Sequence, residues 1–341
     1  MGTWFGCSLP DDFGDWRREY WFGAKTAGLI DGGYRAYISL TGPDRVRYLN
    51  AVITNNVRDL VSGRGAIALL LNPQGRILAE LEAYVLEQEL LCVSYAMIRD
   101  RLVETLDKFI IMDDVTVGDH SQQYTTISVV GPAAAELVAE QSGLDLHAMA
   151  EMEIRTADIG VKCSVIRKNL GKTPGADLIV ERAAATAAWE SLSDAAGRHG
   201  GGPMGYTAWN ALRLEHGLPW FAYDFGEKQI PHEAALQDSH ISYTKGCYTG
   251  QEIVERVRSR GQVNRQRVLL TFTGAGTPVA EESLMVGGAQ VGYITSAATP
   301  PSLPVSIGMG YVRKENRAGG SILDWSGGAA RVVTLPWPGE Q

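Results

Sequence analysis

The chain changes grain near residue 262, and that change limits the folds open to it. From Gly261 onward, 13 Gly and 6 Pro fall within 81 residues, against 34 such residues in the preceding 260. The breakers separate short apolar runs at 268–272, 290–295 and 307–312, as in a small β-barrel or sandwich. Upstream, strand-like and helix-like periods alternate. The expected fold class is therefore α+β, with a mixed region over 1–262 followed by a β domain over 263–341. At 341 residues the chain exceeds one core of usual size, so two or three units are expected.

Several upstream elements are legible. Residues 36–41 read as a strand, and Gly42-Pro43-Asp44 breaks it ahead of a short helix through Tyr48 and Leu49. Residues 66–71 read as a buried strand, followed by Asn72-Pro73-Gln74-Gly75, which has type I turn preferences. The returning strand carries Ile77, Ala79, Leu81, Ala83 and Val85 on one face and Arg76, Glu80, Glu82 and Tyr84 on the other. Ile98, Leu102, Leu106 and Phe109 recur at helical spacing. Runs at 125–130, 161–166 and 177–180 alternate with helices near 133–142 and 183–196, opened in the first case by Pro132 and closed by Gly143 and Gly197.

Composition excludes several classes. Hydrophobic residues at 45% and charged residues at 21% are those of a folded chain. The first 30 residues carry Asp11, Asp12, Asp15 and Glu19 rather than an apolar signal, and no run approaches a bilayer span. Cys7, Cys92, Cys163 and Cys247 lie far apart with no Cys-x-x-Cys, so a reducing cytoplasm is expected. A net charge of −8 disfavours direct nucleic-acid binding by the whole chain. Gly171-Lys172-Thr173 lacks the first glycine of a phosphate loop, since position 166 is Ile166. Gly274 and Gly276 start a dinucleotide pattern that fails at Val279. His232-Glu233 would need His where Leu236 stands to bind zinc, and the other histidines show no ligand spacing, so no metal site is expected.

One segment stands out. From Lys245 to Arg267 six basic residues face two acidic ones, a local +4 inside an acidic chain. Thr249 and Glu252 form a capping-box pattern, and Ile253, Val254 and Val257 continue as an apolar helical stripe. That reading sets Cys247 just outside a helix N-terminus, with Lys245 nearby and Gly246 and Gly250 flanking it. Such a setting favours thiolate below the ordinary ~8.5. Most free cysteines are instead buried and inert, and the residues alone leave both readings open.

Lys245-Gly246-Cys247-Tyr248-Thr249-Gly250-Gln251-Glu252 resembles the signature of the YgfZ-type folate-binding proteins, relatives of the aminomethyltransferase (T-protein) of the glycine cleavage system. Gly42-Pro43-Asp44-Arg45-Val46, Leu71-Asn72-Pro73-Gln74-Gly75-Arg76, Ile111-Met112-Asp113-Asp114-Val115, Ala211-Leu212-Arg213-Leu214-Glu215-His216-Gly217, Ile230-Pro231-His232-Glu233 and Gly308-Met309-Gly310-Tyr311-Val312 follow family order. The resemblance implies a cloverleaf of two α/β subdomains, the second inserted over roughly 51–150, and a C-terminal β-barrel around a central opening that receives tetrahydrofolate. It implies Cys247 and Lys245 as the catalytic centre. It also implies Trp209, Asp177, Glu80, Tyr84, Arg213, Tyr248 and Gln251 as folate-binding residues. Trp209 can equally be core, and Asp177 a strand-entry residue. A carboxylate such as Asp177 suits a pterin, because it accepts paired hydrogen bonds from the amino and ring N–H groups.

Two functions compete. The resemblance favours a monomeric, folate-dependent factor that assembles or repairs iron–sulfur clusters in client enzymes, and so acts indirectly in tRNA modification. The alternative is a folate-dependent aminomethyl transferase. A third reading, an RNA-binding module, has only the basic window behind it. Transferases carry two adjacent acids after a Gly-Gly-Ile-type turn. Here the matching stretch, Gly75 to Glu80, replaces the first by Ala79, and strand alternation is expected to aim Glu80 elsewhere. Aminomethyl transfer is therefore expected to be poor.

Overall fold

The computed structural model describes residues 1–335 and 337, apart from 172 and 262. Lys172 of the discarded phosphate-loop pattern and the expected boundary at residue 262 lie outside the described residues. The chain forms two compact units. The first comprises Met1–Leu70, Ala79–Trp209 and His240–Thr249, and the second Leu71–Leu78, Asn210–Ser239 and the chain from Gly250 onward.

Two sheets build the first unit. One has five strands in the order Arg64–Leu71, Ile77–Val85, Leu90–Tyr95, Arg35–Thr41, Thr116–Asp119. The other has six, in the order Ile154–Asp158, Lys162–Leu170, Thr173–Glu181, Tyr124–Val130, Gly28–Asp31, Gly202–Pro203, and only its last pair is parallel. Alternation gives the six-stranded sheet two different faces. Leu178, Val180, Ile127, Val129 and Val165 point outward into a core shared with Leu137 and Val138 of the Ala134–Ser142 helix and Leu192 of the Ala185–Arg198 helix. Asp177, Ile179 and Glu181 have the opposite parity and face the five-stranded sheet. Between the sheets, Tyr37, Tyr84, Val93, Ile154, Ile166 and Ile179 form an apolar plug.

The second unit contains a closed six-stranded barrel, in the order Arg265–Gly274, Ser306–Arg313, Ala289–Ala298, Ser283–Val286, Ile322–Trp325, Gly328–Val333. Leu270, Phe272, Leu284, Ile294, Leu323 and Val332 fill it. The mixed α+β class with a terminal barrel is thus observed. The Asn72–Gly75 turn is closed by a bond from the Gly75 N–H to the Asn72 carbonyl at 2.9 Å, and the Asn72 side chain accepts from the Arg76 N–H at 2.9 Å. Gly75 has φ 72°, and a Cβ there would come within 2.9 Å of Ile253.

Two helix ends differ from expectation. Gly197 does not close its helix, which continues to Arg198 with His199 as its cap; the left-handed turn comes at Gly200, φ 74°. The Gln251–Arg260 helix is not opened by a capping box. Its N-cap is Gly250 at φ 82°, with no side-chain cap, and the Glu252 carboxylate pairs forward with Arg256 at 2.6 Å.

Candidate functional site

The inward faces of the two sheets in the first unit assemble a buried polar cluster. Glu80, Glu82 and Tyr84 share a face of the Ile77–Val85 strand because they are two residues apart. The neighbouring strand places Tyr95 beside Glu80, and the next places Arg35 opposite Tyr95. Across the gap, the second sheet supplies Asp177, Lys168 and Ser128.

Partners are specific. Glu80 accepts from the Tyr95 hydroxyl at 2.6 Å through one oxygen and meets His240 Nε2 at 2.9 Å through the other. Glu82 takes the Tyr84 hydroxyl and the Lys168 ammonium, both at 2.6 Å. Arg35 lies 3.4 Å from Glu82 and 3.8 Å from Asp177, with its guanidinium over the rings of Tyr34 and Tyr95. Asp177 accepts from the Ser128 hydroxyl at 2.5 Å. Burial alone would raise the Glu82 carboxyl. Lys168 and Arg35, with hydrogen bonds from Lys168 and Tyr84, outweigh it and hold the group at about 2. Tyr34, through burial, is pushed up to about 12, so it stays a neutral phenol.

The sequence-predicted residues separate into three groups. Asp177, Glu80 and Tyr84 come together in this cluster. Tyr248 is buried, with its ring 5.1 Å from the Lys245 ammonium, while Gln251 begins the next helix and Trp209 is half-buried on the Tyr206–Glu215 helix. Arg213 needs correction as a folate ligand: its guanidinium is fully buried in the core of the second unit. There it pairs with Asp224, donates to Asn210 Oδ1 at 3.0 Å and to the Leu218 carbonyl at 2.9 Å, and lies over Trp220.

Lys245 also differs from expectation. Rather than serving as a free electropositive neighbour of the thiol, its ammonium is buried and donates to the carbonyls of Asn50, Ile53 and Asn55. These lie at the end of the Arg45–Val52 helix, where a cation is favoured. Burial, and then Arg58, bring its pKa down to about 8. Lys245 thereby ties the Cys247 segment down, as does Thr54, whose hydroxyl donates to the His240 carbonyl at 2.6 Å. Cys247 itself is exposed and has no hydrogen-bond partner among the described residues. The space around Gly246 is open.

The aim of Glu80 is a further correction. Ala79 and Glu80 are adjacent on the strand and so point to opposite faces, and Glu80 is the one in the polar cluster with Asp177's partner Arg35, while Ala79 is buried on the other face. Sequence reasoning missed Arg35, Tyr95, Lys168 and His240. Glu82 carried a signal, its two-residue offset from Glu80. His240 and Lys168 carried none, since each reaches the cluster from more than 80 residues away along the chain.

Known proteins match the chain over nearly its whole length. The model of the GCVT N-terminal domain matches residues 1–240, and that of the glycine cleavage T-protein C-terminal barrel domain matches 265–337. The aminomethyltransferase of Streptomyces avermitilis is 28% identical over 350 residues, covering 99% of this chain and 93% of that protein. The aminomethyltransferase of Moorella thermoacetica is also 28% identical, over 99% of this chain and 92% of that protein. The crystal structure of aminomethyltransferase T from Bartonella henselae superposes with a TM-score of 0.88 over 98% of this chain and 93% of that one, at 23% identity, and so shares its fold.

Proposed function

This chain belongs to the glycine cleavage T-protein family, and from that premise we propose that it binds tetrahydrofolate in the first unit and transfers a one-carbon unit to it as an aminomethyl-type transferase. The observation that carries the reading is Glu80, a buried carboxylate held between Tyr95 and His240 in the cluster that contains Asp177. The donor set suits a pterin. Asp177 has one short hydrogen bond and a loose 3.8 Å ion pair, which leaves lone pairs for the pterin amino and ring N–H groups.

Bound tetrahydrofolate supplies the nucleophilic nitrogen that accepts the one-carbon unit. The protein's residues do the rest. Glu80 is fixed by two partners, so its carboxylate can take a proton from that nitrogen as the N–CH2 bond forms and deliver it to the amine that departs as ammonia, without first reorienting. His240, bonded to the same carboxylate, provides a route for the proton onward. Arg35 offsets the negative charge of Glu82 and Asp177, which makes it possible for three buried carboxylates to share one cluster. The position lost as Ala79 therefore does not leave the site without an acid.

The test supplies aminomethyl-lipoyl carrier protein and tetrahydrofolate and measures ammonia and methylene-tetrahydrofolate. Turnover is expected, falling ~100-fold in Glu80→Gln, the loss typical of a missing general base. Absence of turnover in the unaltered chain would overturn the transfer reading.

A second reading is favoured by one observation, the exposed Cys247 within the eight-residue motif. On it, the chain is a YgfZ-type factor that maintains iron–sulfur enzymes, with folate as its ligand. Cys247→Ser would then fold and bind folate yet fail to restore iron–sulfur enzyme activity in cells lacking the protein. Full rescue by this variant would dismiss the second reading.

A further inference from the structure

The space between the two sheets of the first unit has a second end. Along the Thr173–Glu181 strand the inward residues run Asp177, Ile179, Glu181, so a charged cluster at one end gives way to the apolar plug and then to charge again. At that far end lies a cavity of about 700 Å³, within the usual range for small-molecule sites. Its floor is apolar and aromatic, formed by Leu86, Leu91, Tyr37 and Tyr124. The Tyr37 and Tyr124 rings meet edge-on at 6.0 Å, and His120 meets Tyr124 at 6.4 Å.

Charge around the cavity is unbalanced. Glu89, Asp158 and Glu181 line it against a single ammonium, Lys162, three carboxylates to one cation. Register pairs Lys162 with Asp158, and Glu181 follows Val180, the partner of Cys163, on the strand on the other side. Even so, among the described residues neither Lys162 nor Glu89 nor Glu181 forms an ion pair. Carboxylates without partners, set around aromatic faces, are the two elements that recognise an organic cation.

We propose that this cavity is a second binding site, separate from the Glu80–Asp177 cluster, for a small organic cation with an apolar or aromatic body. The amine or guanidinium lies against Glu89 and Glu181, and the apolar part covers Tyr124 and Leu91. An anionic ligand is disfavoured by the same carboxylates, which distinguishes the site from one for folate, whose tail is acidic.

The test uses the full chain and three probes of one shape: 2-phenylethylammonium, 2-phenylethanol and 3-phenylpropionate, with binding followed by calorimetry. The ammonium is expected to bind at least tenfold tighter than the alcohol, and the carboxylate weakest. The double variant Glu89→Gln/Glu181→Gln is expected to weaken the ammonium at least tenfold. Lys162→Met, which removes the opposing charge, is expected to tighten it threefold or more, a gain that general damage to the fold would not produce. Equal affinity for ammonium and alcohol, preference for the carboxylate, or an unchanged constant in the double variant would each overturn the proposal.

Discussion

Glu82 is the residue on which the charged interior depends most, because it pairs with both Lys168 and Arg35. Replacing it by Gln leaves Arg35 and the half-buried Lys168 with one fewer counter-charge, which is expected to cost about 2 kcal/mol, read as a lower urea midpoint. The acid dependence has a definite sign. The folded carboxyl, held at about 2, lies below its unfolded value of ~4.3, so the stabilisation is complete above that value and is lost as pH falls towards 2. Glu82→Gln should flatten stability against pH in that window; an unchanged slope would contradict the assignment. Cysteine reactivity is also decided residue by residue. Burial pushes Cys92 up to about 12 and Cys163 up to about 11, and burial raises Cys7 as well, whereas Cys247 is open to solvent. Limiting iodoacetamide at pH 8 should label Cys247 at least tenfold faster than Cys92 or Cys163, since only an accessible thiolate attacks. Mass spectrometry showing Cys92 labelled first would refute this. Glu80 and Tyr84 were legible in the sequence because a strand repeats every two residues, whereas Asp177 was marked by the family resemblance alone. The role of Lys245 was not, because carbonyls at a helix end leave no mark on residue identity.

Among the elements, strands and their faces followed the pattern of apolar residues closely, while helix ends followed local backbone geometry that composition does not fix. Four glycines stand near the end of the Ala185–Arg198 helix, at 197, 200, 201 and 202, and any of the first could have stopped it. The Thr249 and Glu252 pattern likewise yields to Gly250, because the chain enters the Gln251–Arg260 helix through a left-handed residue. At that point a Cβ would come within 2.7 Å of the Asn72 carbonyl oxygen and 3.0 Å of the Leu71 side chain. Gly250→Ala should therefore destabilise by about 1–3 kcal/mol, combining backbone strain with the clash. Gly246→Ala, where the surroundings are open, should change stability by less than about 0.5 kcal/mol. Equal urea midpoints for the two variants would show that the motif's glycines serve something other than the turn.

For the whole molecule, the α+β class and the terminal barrel could be read from where breakers accumulate. The opposition of the two sheets could not, since it depends on pairings such as Arg35 with Asp177 that no local pattern announces. Tetrahydrofolate at about 100 times its dissociation constant should add about 2.7 kcal/mol to the folded state, raising the melting temperature by roughly 2–4 °C. Asp177→Ala should remove most of that rise. A full rise in this variant would move the ligand away from the cluster. The six-stranded sheet also ends on Gly202–Pro203, a strand of two residues. Proline has no N–H to donate, and so short a strand presents almost no ladder to copy. That margin of the sheet is closed to templated addition, so neither a second molecule nor an aggregating segment can extend it there.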